Sequence, residues 1–110
     1  MNKTRRKEIR AIIATLQKLA ETITTSTTSD IEEVLNDIIE DVEYILNEEE
    51  CYKDNIPENL QNSIRYEESE ESCDNLEEAI STLGYIDNDD SVDYIIKNIH
   101  ESIQYLQGAL

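Results

Sequence analysis

The chain has 110 residues, with 26 Asp and Glu against 9 Lys and Arg, a formal net charge of −17 at pH 7. That length suits one domain burying roughly two thirds of its unfolded surface, enough for a thin core and too little for an enclosed active-site cavity. With no Trp or Phe, two Gly and one Pro in a chain dominated by Ile, Leu, Glu, Asp and Asn, a turn-rich sheet is disfavoured and an all-α protein is expected.

The first element carries the basic charge. Residues 1 to 18 hold Lys3, Arg5, Arg6, Lys7, Arg10 and Lys18 against Glu8, a net charge of +5, and Ile9, Ile12, Leu16, Leu19 and Ile23 step by 3, 4, 3, 4. This is an amphipathic helix over residues 1–23. A membrane-surface helix would have a similar pattern. Here the polar face turns to Gln, Thr and Glu after Lys18, and the rest of the chain would be repelled by anionic lipid. No membrane contact is expected. The N-terminus lacks the long uncharged run of a signal peptide or membrane span, so a cytoplasmic protein is expected.

The next segment, "TTSTTSD" (residues 24 to 30), is a β-branched, hydroxyl-rich break. Ser29 with Glu32 fits a capping box that opens a second helix. Its seam runs Ile31, Leu35, Ile38, Val42, Ile45 and on to Tyr52, with Glu49 in the slot between. The residue before Pro57 is pushed out of the helical region, so the helix should end near Asp54. A third helix keeps the spacing through Tyr66, Cys73, Leu76, Ile80 and Leu83, with Ser69 in one slot. Gly84 would form a left-handed cap, and "IDNDDS" offers Asp90 or Ser91 as the cap of a fourth helix with the seam Val92, Ile96, Ile99, Ile103, Leu106 and Leu110. Ile13, Ala20, Val34, Ile39, Leu46, Ala79 and Ile95 widen the stripes toward a bundle core.

A sustained 3.5-residue period with short turns predicts about four helices in a small antiparallel bundle. Residues 29–83 would form a long acidic hairpin in the middle and residues 91–108 the last helix. With the hairpin turning near residues 55 to 63, Cys51 should lie opposite residue 67. Cys73 would then lie about 9 Å further along, outside disulfide reach. Both cysteines should titrate as free thiols.

Two stretches carry a resemblance. "RRKEI" at the start, and "DNIPENLQNSIRYEESEESCDNLEEAISTL" later, look like a group of small uncharacterised proteins encoded by bacteriophages and prophages of Gram-positive bacteria. The likeness covers about half the chain. It implies a helical hairpin and a phage origin, with the host cytoplasm as the compartment, and supplies no catalytic residues.

Catalysis is not indicated. Acid–base chemistry needs two carboxylates in different environments, and nothing marks such a pair. His100 has no Cys or second His at ligand spacing, and no Gly-rich phosphate loop exists. In "DNDDSVD", Asp87, Asp89, Ser91 and Asp93 alternate like the start of a calcium loop. Val92 stands where that loop needs Gly, however, and Asn98 where it needs Glu. No enzyme, metal or cofactor is expected.

What remains is charge. The 92 residues after Lys18 hold 25 carboxylates against Lys53, Arg65 and Lys97, which disfavours nucleic-acid binding by the main body and points to a basic partner. From Asp30 to Asp54 there are 11 carboxylates in 25 residues. At the α-helical rise this is roughly one charge per 3.4 Å, the phosphate spacing of a single DNA strand. Two acidic helices side by side could imitate a nucleic-acid backbone. The expected partner-binding residues are Asp30, Glu33, Asp37, Glu40, Asp41, Glu43, Glu48, Glu67, Glu70, Glu71, Asp74 and Glu77, with Tyr44 and Tyr66 as aromatic anchors. The favoured function is a phage-type inhibitor of a basic, nucleic-acid-binding host protein, such as a CRISPR nuclease or restriction enzyme. The alternative is a structural protein whose apolar seams self-associate, for example as a homodimer.

Overall fold

The computed structural model describes residues 1–25, 31–61 and 63–110, so Ser29 of the expected capping box, and Asp30, lie outside the described residues. Four helices follow in order: α1 (Lys3–Thr25), α2 (Ile31–Asp54), α3 (Ile64–Gly84) and α4 (Val92–Ala109). They pack as an elongated antiparallel bundle of 52 × 22 × 18 Å. α3 lies against α2 and α4, α1 against α4, and α1 packs more loosely against α2.

Local chemistry sets the boundaries. Asn2 Oδ1 accepts from the amide of Arg5 at 2.8 Å and opens α1. Ser63 and Ser91 open α3 and α4, each hydroxyl accepting from an amide three residues on, Tyr66 at 3.4 Å and Tyr94 at 3.2 Å. α2 ends at Asp54, ahead of Pro57, and a short 3-10 turn, Glu58–Leu60, fills the connection. Glu32 and Asn88 exchange hydrogen bonds across the fold: the Glu32 amide donates to Asn88 Oδ1 at 3.0 Å and the Asn88 amide to Glu32 Oε1 at 3.1 Å. An acidic side chain in the first turn of α2 thus anchors the loop between α3 and α4. In that loop the Asp87 amide donates to Asp90 Oδ2 at 2.8 Å, so the aspartate pattern serves as a turn.

The seams fill the core with aliphatic side chains. Ile9, Leu16, Leu35, Val42, Ile45, Leu76, Leu83, Ile99 and Leu106 are essentially inaccessible to water. Four expectations are corrected. Gly84 takes no left-handed conformation and remains within α3. Val34 is exposed because it lies toward the loosely packed α1 side. Tyr52 is exposed near the end of α2, its ring 5.8 Å from the Arg5 guanidinium. Val92 opens α4 at the surface, and the buried stripe there runs through Ile95, Asn98, Ile99, Ser102, Ile103, Leu106 and Ala109. The small members of that stripe let α4 approach α3, where the Ser72 hydroxyl donates to the Ala109 carbonyl at 2.9 Å. A Cβ on Gly108 would meet the Asn75 side chain at 3.1 Å.

Candidate acidic interface

The two polar interruptions of the apolar seams meet inside the bundle. Glu49 is fully buried; its Oε1 accepts from the Ser69 hydroxyl at 2.8 Å and its Oε2 from Arg5 Nε at 2.8 Å. The amino group of Met1 stands 3.5 Å from the same carboxylate. Both ion pairs formed among the described residues therefore end on Glu49. The basic helix packs within the chain, with Arg6 Nε also donating to the Leu110 carbonyl at 3.1 Å. Glu49, the polar slot in the α2 seam, is the anchor that fixes the α2–α3 register.

That register organises the remaining carboxylates. The stripe of buried residues on each helix fixes which side chains point outward, because positions seven apart share one face. The outward surface of α2 and α3 forms an acidic wall: on α2, Glu33 and Glu40 point directly away from the core while Glu43 and Glu50 lie nearer α3, each pair at seven-residue spacing. Glu67 and Asp74, then Glu70 and Glu77, recur at that spacing on α3. Glu50 is half-buried and the other seven are exposed. With Glu49 level with Ser69, these eight carboxylates occupy about 27 Å of bundle axis, roughly one charge per 3.4 Å.

The wall holds only part of the expected set. Asp37 and Asp41 turn toward α1, where Asp41 lines a hollow with Glu8, Ala11, Ile12, Tyr44 and Ile45. Glu48 is half-buried beside Arg5, and Glu71 lies on the α4 side of α3 near Arg6 and Leu110. Tyr44 is 64% exposed on the α1–α2 side. Tyr66 is half-buried with the Lys53 ammonium 6.0 Å from its ring centre, at the end of the wall. Glu50 was missed from sequence, although its spacing from Glu43 is a usable signal. Arg5 was missed as the partner of Glu49, and only the packing of α1 reveals it.

Beneath the wall lies Cys73, buried, while Cys51 is exposed and both are free. Burial pushes the Cys73 thiol up to about 11; Lys53 pulls the other way, and Glu49, Glu50 and Glu77 add to the rise. Glu50 of α2 and Glu77 of α3 thus act on the Cys73 thiol from both helices of the wall. His100 is exposed on α4, facing Gln17, Ala20 and Glu21 of α1. No helix among the described residues is long and apolar enough to cross a membrane. Comparison of the chain with family models, with curated proteins and with solved structures gave no match.

Proposed function

We propose that this protein is a non-enzymatic inhibitor of the kind phages encode, which covers the nucleic-acid-binding surface of a basic host protein with its α2–α3 wall. The observation that carries this reading is the array of eight carboxylates, whose mean density along the axis is near that of phosphates on one DNA strand, on two helices whose register is locked from inside by Glu49 and Ser69. A rigid array loses little freedom on binding and attracts a basic groove at long range. A CRISPR nuclease or a restriction enzyme is the class of target that such a surface fits.

Self-association through the seams is the weaker reading, since Ile38 and Leu76 are already buried in the chain's own core. The testing experiment is capture from bacterial lysate at low and high salt, followed by competition with duplex and single-stranded nucleic acid. The inhibitor reading requires a captured nucleic-acid-binding protein that is released by both treatments. A partner held through both would contradict it.

A further inference from the structure

The α1–α2 side of the bundle differs from the α2–α3 wall. α1 packs only loosely against α2, and a hollow of about 330 Å³ opens between them. Its floor is apolar, made of Ala11, Ile12 and Ile45; two carboxylates, Glu8 and Asp41, border it, and the exposed ring of Tyr44 stands at its edge. Neither Glu8 nor Asp41 forms an ion pair among the described residues. No Lys or Arg is found among the described residues that line the hollow.

We propose that this hollow receives an arginine side chain of the basic protein partner, a deepening that rests on the functional reading above. The aliphatic stem would lie over the exposed Ala11 and the edge of Ile12, taking its own methylenes out of water. The guanidinium fork matches carboxylate geometry and stacks on an aromatic face, so Glu8, Asp41 and Tyr44 form a set of groups for which Arg is better suited than Lys. A neutral apolar occupant would strip water from two carboxylates with no compensation. An anionic occupant would be repelled.

The test uses two defined probes, nonaarginine and nonalysine peptides, titrated into the full chain at low salt. Amide and side-chain NMR shifts and an affinity are recorded for each. Wild type should bind nonaarginine more tightly by about two- to fivefold, the range expected for an exposed cation–aromatic contact. The resonances of Ala11, Ile12 and Tyr44 should move. A Glu8→Gln, Asp41→Asn, Tyr44→Leu variant with unchanged circular dichroism should lose the arginine preference. A wall variant, Glu40→Gln, Glu43→Gln, Glu70→Gln, Glu77→Gln, should weaken both peptides equally and keep the preference. Stationary groove resonances, or an arginine preference that survives the groove variant, would overturn the proposal while leaving the wall reading intact. If the wall variant binds both peptides like wild type while the groove variant does not, the groove stands and the wall reading fails. Self-association in sedimentation that Asp41→Asn abolishes would assign the hollow to a second copy and likewise overturn the proposal.

Discussion

The hydroxyl of Ser69 on α3 donates to the buried carboxylate of Glu49 on α2 at 2.8 Å, joining two residues that interrupt otherwise apolar seams. One buried charge, satisfied by Ser69, Arg5 and the Met1 amine, ties α1, α2 and α3 together at one end of the bundle. A slip of one turn along α2 would bury this carboxylate against aliphatic side chains. The polar cluster thus selects the register that aligns the carboxylates of the outer wall.

Removing the anion should leave Arg5 buried and unpaired. Glu49→Ala is expected to cost about 3–5 kcal/mol, as for other broken buried ion pairs, seen as a fall in the thermal midpoint of about 4 °C or more per kcal/mol. Arg5→Met combined with Glu49→Leu should cost much less, because an apolar pair replaces a desolvated one. Thermal unfolding of the single and double variants checks this. Equal losses in both would show that the charge itself is not the issue.

The two thiols should separate by accessibility. Both thiols are free, as expected; exposed Cys51 should react with a disulfide reagent in the native protein, and buried Cys73 only after unfolding. The Cys73 thiol is raised from 9.0 to about 11. The folded state therefore holds that proton more tightly than the unfolded state, and its contribution to stability is complete below pH 9 and lost as pH rises toward 11. Cys73→Ser should remove that part of the alkaline decline; denaturant midpoints measured between pH 8 and 11 read it directly.

Core and surface positions of the same seam should respond differently. Ile99→Ala should cost about 2–5 kcal/mol, because Ile99 is fully buried. Val92→Ala, at an exposed site in the first turn of α4, should change stability by less than about 0.5 kcal/mol. Ser91→Ala beside it removes the cap on the Tyr94 amide and should cost about 1 kcal/mol. Urea midpoints rank the three. Comparable losses for Val92 and Ile99 would mean that α4 is rotated so that Val92 enters the core.

Much of the fold was legible because its signals are local. Pro57 stops α2, Ser91 caps α4, and the seam period places the aliphatic core. The hairpin register was legible too: a turn centred near residue 59 sets Cys51 opposite residue 67, and the Glu49–Ser69 bond has the same offset. What escaped depends on which helices are neighbours. The seam of α4 reads from Val92 in sequence, but its contact with α3 shifts the buried stripe to Ile95, Ser102 and Ala109. Glu49 reads in the sequence as a polar slot in the α2 seam, but its partner appears only when Arg5 is brought beside it from 44 residues away. The acidic residues form one list in the sequence, whereas Asp37, Asp41, Glu48 and Glu71 leave the wall once the positions of α1 and α4 are known.

The central claim is that the α2–α3 wall binds in place of a nucleic-acid backbone. The most direct measurement is the affinity of the captured host protein for wild type and for a Glu40→Lys, Glu43→Lys, Glu70→Lys, Glu77→Lys variant, in low salt, with circular dichroism confirming that both are equally helical. All four positions are exposed, so stability should change little. The account expects binding to the variant to be lost, and wild-type binding to fall steeply with salt. A variant that binds as tightly as wild type at low salt would contradict the claim and reduce the acidic wall to a solvated surface.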